Sequence, residues 1–353
     1  MEHPLEKRAV KLLPSLCMQA IDAAEGLEWG SFGIQTLFEK KFLAQEDAIF
    51  DDYKIEGCMA LKNILNAKAA EFISKKTSKP LSRNPDVIFK LDFSKSRGTC
   101  ESASVYIFGH YMKKTRQYCQ HLWLCNVCKG RGCQKCDFKK EMYPSIEGSF
   151  RSVFIPAFEA KDAFLHAAGR EDVDVMTYGS GRPFVIEIRN PKKRNLDLKE
   201  IDEKIKSSFP LEVVGLKFCP AFWIETVCTS HFDKHYRALV TCEGRSLTSA
   251  DFELIKSKIP LTLRQQTPIR VMGRRSDLMR HRRVYSIKLH DIEAGKLMLD
   301  IWAEAGTYIK ELIHGDNGRT NPSVSAILSS PCACAQLDVI LIDDGFLKTI
   351  RGL

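Results

Sequence analysis

The sequence predicts an α+β fold around a mixed, mostly antiparallel sheet. Three observations carry this. Strand-like segments outnumber long helical ones, few strand–helix–strand units are evident, and beyond a cysteine-rich segment at 125–136 short strands and helices alternate. The 353 residues allow two domains, since domains most often run to about 100–150 residues.

Residues 1–77 read as mostly helical: from Leu61, LKNILNAKAAEFISKK places Leu61, Ile64, Leu65, Ala69 and Phe72 at helical spacing. KPLSRNP breaks that pattern. PDVIFKLDF alternates as a strand and SVYIFGHY reads as a second, followed by the basic stretch YMKKTRQ. The cysteine segment marks the expected border, with one domain over 1–140 and another over 141–353. Within the second, PFVIEI is expected as a strand after a Gly-Ser-Gly-Arg-Pro turn, and LDLKEIDEKIKSSF as a helix with Leu198, Ile201 and Ile205 on one face. FWIETV and YRALVTC read as strands. TSADFELIKSK is a short helix whose Thr248 and Asp251 have capping-box spacing. RVYSIKLHDI and KLMLDIWAEA look like paired strands, YIKELIHGD a short helix and VILIDD a last strand.

Formal net charge is +9, from 53 Lys+Arg against 44 Asp+Glu. The excess concentrates in LTLRQQTPIRVMGRRSDLMRHRRVY, where Arg264, Arg270, Arg274, Arg275, Arg280, Arg282 and Arg283 face Asp277 alone and no lysine occurs. Arginine without lysine points to phosphate forks and base stacking rather than plain solubility. No apolar run approaches the ~20 residues of a membrane span, and the N-terminal segment has no secretory pattern. An intracellular chain, cytoplasmic or nuclear, is expected, with its 13 cysteines reduced and no obligatory protein partner evident.

Cys125-x2-Cys128-x4-Cys133-x2-Cys136 offers four thiolates to one tetrahedral zinc, with Gly130 and Gly132 allowing the tight turn. Four sulfur ligands leave no open position, so such a zinc is structural. His231 and His235 are four apart, but YRALV after them reads as strand, so surface histidines are expected.

GREDVDV places Glu171, Asp172 and Asp174 between Arg170 and Arg182. A carboxylate kept ionised by positive neighbours can serve as nucleophile or base; a purely structural acidic loop is the alternative. KHYRALV adds Tyr236 at a strand entry, and GTYIKEL adds Tyr308 and Lys310 where a strand passes through glycine into a helix. A sheet could bring Asp, Tyr and Lys together.

These blocks, GREDVDV…GSGRPFVIEI, KHYRALV and GTYIKELIHGDNGR with the arginine-rich segment between the last two, resemble the archaeal and eukaryotic tRNA pseudouridine synthases that modify positions 54 and 55 of the T-loop. The resemblance covers about residues 145–345, and NPDVIFKLDF and IFGHYMKKTRQ are similar to that family's THUMP-related accessory RNA-binding domain. It implies a pseudouridine synthase α+β fold and a THUMP-like α/β accessory domain. It also implies tRNA, through its T-arm, as partner, Asp172 as catalytic aspartate with Asp174 as competitor, and no catalytic cofactor. Tyr236 would stack on the target uracil, Lys310 would pair with the aspartate, and Tyr308, Arg182 and the arginine-rich segment would contact substrate, that segment as a flexible finger. Two departures stand out: Met176 where the family commonly has arginine, and only the isolated Cys17 and Cys58 where it tends to carry CxxC pairs near the N-terminus. A non-catalytic zinc-containing RNA-binding protein is the rival reading, but binding alone does not need Asp172, Tyr236 and Lys310 jointly. A methyltransferase is disfavoured because Gly179-Ser180-Gly181 runs into Arg-Pro and a strand rather than a helix.

Overall fold

A computed structural model of the chain describes residues 6–52, 59–273 and 275–349; Cys58 and Arg274 lie outside them. Two compact units emerge.

The smaller comprises Met1–Val105, Phe154–Ala163 and Glu187–Asp197. It contains α1 (Glu6–Asp22), β1 (Phe32–Leu37), α2 (Lys40–Asp52), α3 (Leu61–Thr77), β2 (Val87–Asp92) and β3 (Arg97–Ser102). Its sheet has the order β1-β2-β3, with β1 parallel and β3 antiparallel to β2. Leu16, Phe32, Leu65, Ile73 and Phe89 are fully buried in its core. Gly98 lets β3 press on α1, because a Cβ there would sit 2.0 Å from the Leu16 carbonyl oxygen. Leu61, Leu65, Ala69 and Ile73 form the buried stripe of α3, as helical spacing demands. β1 was not expected within a helical region; FGIQTL carries too many polar and small residues to stand out as a strand.

The larger unit comprises Tyr106–Val153, Phe164–Ile186 and Leu198–Leu353. Its elements, four of which run across the division, are β4 (Val105–Lys113), α4 (Ile146–Ala157), β5 (Asp162–Ala167), β6 (Met176–Arg189), α5 (Leu198–Ser208), β7 (Leu211–Phe218), α6 (Trp223–Thr229), β8 (Lys234–Cys242), α7 (Ser249–Lys256), β9 (Leu261–Gln266), β10 (Met279–Glu293), β11 (Lys296–Ala303), α8 (Ile309–His314), β12 (Thr320–Asn321), α9 (Val324–Ile327) and β13 (Cys332–Ile342). Among the described residues they build a ten-stranded sheet in the order β12-β9-β10-β11-β8-β13-β6-β4-β7, with β5 on β6. β8 pairs antiparallel with β11 and β13, while β13 and β6 are parallel. The fold is therefore α+β with a mixed, mostly antiparallel sheet. Residues 106–140, placed by sequence with the accessory domain, fall in this unit because β4 pairs with β7 inside the large sheet.

Two local readings need correction. FWIETV is not a strand: Trp223 and Val227, four residues apart, are both fully buried on α6, so the operative period is helical. The Gly-Ser-Gly-Arg-Pro segment is not a turn but lies inside β6. Gly179 sits at φ 61°, and a Cβ there would meet the Ile340 carbonyl oxygen at 1.9 Å, so only glycine permits this approach to β13. The α7 cap is as expected, with Thr248 N donating to Asp251 Oδ2 at 2.9 Å. No helix among the described residues is long and apolar enough to cross a membrane.

Candidate active site

The Gly169–Val175 loop joins β5 to β6. Asp172 opens a tight turn, its carbonyl accepting from Val175 N at 3.2 Å, a position where aspartate is favoured. Beside it, the Glu171 carboxylate meets Arg182 Nε at 2.7 Å, both side chains 1% exposed. The Tyr111 hydroxyl donates to Glu171 Oε1 at 2.9 Å, and Gln120 Nε2 donates to the Tyr111 oxygen at 2.8 Å and to the Gly169 carbonyl at 2.9 Å. Arg182 NH1 donates to the Ala168 carbonyl at 2.6 Å. A buried charge needs a partner, and Glu171 supplies it for Arg182, although Arg182 Nε and Gln120 Oε1 are buried without a well-aligned hydrogen bond. Arg182 is thus sequestered; it neither pairs with Asp172 nor presents an exposed guanidinium.

The Asp172 carboxylate is half-exposed. Arg270 NH1 lies 2.8 Å from its Oδ2 and Lys310 Nζ 3.4 Å. Arg270 is anchored from behind, its Nε donating at 2.7 Å to Glu311, which is 1% exposed. Lys310 makes its closest contacts with Asp174, at 2.8 and 3.0 Å, rather than with Asp172. Burial alone would raise the Asp174 carboxyl pKa, but the Lys310 ammonium outweighs it and the net shift is downward. For Lys310 burial pulls down and the Asp174 and Asp172 carboxylates pull up more, so it is held protonated.

A cavity of about 540 Å³ brings Asp172, Tyr236, Arg270, Arg275, Tyr308 and Lys310 onto one lining. Arg182 contributes to the same wall. Tyr236, opposite Ile301 of β11 and Val339 of β13, is 9% exposed. Burial pushes its phenol up to about 12, so it stays protonated. Lys234, two residues earlier on β8, also lines the cavity; burial and Arg182 bring its amine down to about 8. Arg275 NH1 donates to the Tyr308 hydroxyl at 3.2 Å.

The remaining arginines lie on a strand framework rather than in a loop. Arg264 is exposed on β9 opposite His281 of β10. Arg280 NH1 donates to Thr267 Oγ1 at 2.8 Å, and Arg282 NH1 to the His281 carbonyl at 2.9 Å. Arg283 is exposed on β10. These four are absent from the cavity lining. Sequence reasoning missed Glu171 as partner of Arg182, Glu311 as anchor of Arg270, and Lys234. Only Glu311 carried a signal, as an acid next to Lys310 on a helix with a buried face.

The sulfurs of Cys125, Cys128, Cys133 and Cys136 all lie within 4.8 Å of one another, and the cluster could hold a metal ion. Cys125–Cys133, Cys128–Cys136 and Cys133–Cys136 are 3.9, 3.8 and 3.9 Å apart. The edge of a tetrahedron with metal–sulfur bonds of about 2.3 Å is roughly 3.8 Å, so the donors fit; a disulfide would need about 2.05 Å. His235 instead stacks on Trp302, centroids 5.3 Å apart and 8° from parallel.

The family described as Pus10, C-terminal, matches residues 106–343. The chain belongs to the Pus10 family. It is similar to the tRNA pseudouridine synthase Pus10 of Korarchaeum cryptofilum (strain OPF8), 36% identical over 333 residues that span 93% of this chain and 89% of the relative. It is also similar to the tRNA pseudouridine synthase Pus10 of Archaeoglobus fulgidus, 38% identical over 283 residues, 80% of this chain and 79% of the relative. Among solved structures, a Cbf5-Nop10-Gar1 complex shares 17% identity at a TM-score of 0.33, over 54% of this chain and 43% of that one. The Pus10 match takes in every cavity residue named above and all four clustered cysteines.

Proposed function

We propose that this protein is a tRNA pseudouridine synthase acting on the T-arm, at position 55, 54 or both, with Asp172 as the reacting carboxylate. The observation that carries this is the half-exposed Asp172 carboxylate on a cavity wall shared with the Tyr236 ring, with Arg270 at 2.8 Å and Lys310 at 3.4 Å. The isomerisation breaks the uracil N1–C1′ bond and forms a C5–C1′ bond; the proton leaves C5 and one is gained at N1. No electrons leave the system, so the step needs no redox cofactor. A base inside a duplex or folded loop must be extruded to reach such a cavity. Arg270 and Lys310 hold and orient the Asp172 carboxylate, and Tyr236 offers a flat face to the extruded uracil. Arg275 and Tyr308 lie at the same wall for contacts to the nucleotide, while Arg264 and Arg283, exposed on one face of the β9–β10 pair, offer a basic surface for the RNA backbone. The smaller unit serves as an accessory RNA-binding domain.

Mass mapping of a T-arm transcript after incubation with the protein tests this. Pseudouridine at the expected uridines supports it; bound but unmodified RNA overturns it in favour of a binding module. In the same assay Tyr236→Phe is expected to keep most activity. Tyr236→Ala should lose far more, since base–aromatic stacking contributes roughly 1–3 kcal/mol per base. Equal effects would remove the stacking role.

We further infer that the four cysteines hold a structural zinc. Its contribution would be to cross-link the Cys125–Cys136 loop, and no step of the isomerisation passes through it. Elemental analysis should give one zinc per chain, and chelation should lower the melting temperature. Absence of metal from protein purified without chelator would contradict this.

A further inference from the structure

The Gly169–Val175 loop is gripped from below by a group that the proposed chemistry does not use. Lys113 ends β4 and is 0% exposed. An ammonium carries three N–H donors, and Lys113 Nζ finds three acceptors: the main-chain carbonyls of Tyr118 at 2.9 Å, Asp172 at 3.0 Å and Val173 at 2.9 Å. None of the three is a carboxylate. The nearby negative charge that makes such burial tolerable comes from Glu171 and Asp174.

The next carbonyl along is taken as well. Arg116 NH1 donates to the Asp174 carbonyl at 2.6 Å, while its NH2 donates to Asp338 Oδ2 at 2.8 Å. Two cations three residues apart therefore hold three successive carbonyls of the loop. The Asp172 oxygen also accepts from Val175 N, so both of its lone pairs are used and the peptide plane after Asp172 is fixed. With Glu171 anchored to Arg182 on the other side, fixing that plane restricts backbone rotation at Asp172 and so limits the direction of its Cα–Cβ bond. The side-chain contacts of Asp172, by contrast, come from Arg270 and Lys310, which line the cavity a substrate enters.

We propose that Lys113 is a positioning residue for Asp172: through the Asp172 and Val173 carbonyls, its ammonium sets the line along which the carboxylate enters the cavity. This rests on the reading of Asp172 as the reacting group. A displacement of about 1 Å at a reacting group can cost on the order of 100-fold in rate.

The test compares single-turnover pseudouridine formation, tRNA affinity by filter binding and melting temperature in four variants of the full chain. Lys113→Met should lose about 100-fold in rate with tRNA affinity unchanged. Lys113→Gln, whose amide keeps two donors, should lose less. Val185→Ala, which opens the fully buried core, should lower the melting temperature yet keep its rate. Asp172→Ala separates the two readings. If it stays active, the assignment of Asp172 falls and this proposal with it. If it is inactive while Lys113→Met runs at the wild-type rate, only the positioning role falls. An equal rate loss in Val185→Ala, or failure of both Lys113 variants to give folded protein that binds tRNA, would place Lys113 in the scaffold and overturn the proposal.

Discussion

Asp172→Ala is expected to lower the single-turnover rate of pseudouridine formation by on the order of 10⁴-fold or more, the scale seen when a reacting group is removed outright. Stability and tRNA binding should barely change. The reason lies in how the cations are shared. Arg270 retains Glu311 at 2.7 Å, and Lys310 retains Asp174 at 2.8 Å, so neither is left without a partner when Asp172 is truncated. The lost ion pair is well exposed, with Arg270 and Asp172 at 38% and 42%, and such pairs contribute about 0–1 kcal/mol. The variant thus separates chemistry from folding. An inactive Asp172→Ala that also unfolds or releases tRNA would show that the carboxylate is structural.

Glu171→Ala, one residue earlier, should behave in the opposite way. Its removal leaves the Arg182 guanidinium buried without its carboxylate, and takes the acceptor from the Tyr111 hydroxyl. Breaking a buried pair from one side typically costs about 3–5 kcal/mol, which for a unit of this size corresponds to a fall of roughly 6–20 °C in melting temperature. Replacing both partners with methionine should cost less than either single change, because no charge is then left buried. Thermal denaturation of the two singles and the double decides it. Additive losses would mean that the two side chains are not coupled.

Much of this site was legible in the sequence, because the chemistry demands residue types that the sheet does not. An aspartate in a short loop, a tyrosine at a strand entry and a lysine just inside a helix have no common packing reason, and Asp172, Tyr236 and Lys310 do reach one cavity. The α+β class was legible from the count and length of the strands. What pattern reading could not supply was the pairing of charges. Arg182 looked like a neighbour of Asp172 but turns inward to Glu171. Lys310 takes Asp174 first, and Arg270, read as one of an RNA-gripping set, is the closest cation to Asp172. Such choices depend on side-chain direction across strands that are remote in sequence. Lys113 read only as part of a basic stretch, YMKKTRQ, yet the end of β4 carries it inward. The Phe222–Val227 segment misled because Ile, Thr and Val favour strands, whereas the burial of Trp223 and Val227 obeys a helical period.

The central claim is that Asp172, and not its neighbour two residues on, performs the isomerisation. Asp174 is 65% exposed, is absent from the cavity lining and is occupied by Lys310. The most direct measurement is therefore the single-turnover rate of the two isosteric variants, Asp172→Asn and Asp174→Asn, on the same T-arm transcript. The account predicts no detectable pseudouridine with Asp172→Asn and a reduced but measurable rate with Asp174→Asn. An active Asp172→Asn beside an inactive Asp174→Asn would contradict it.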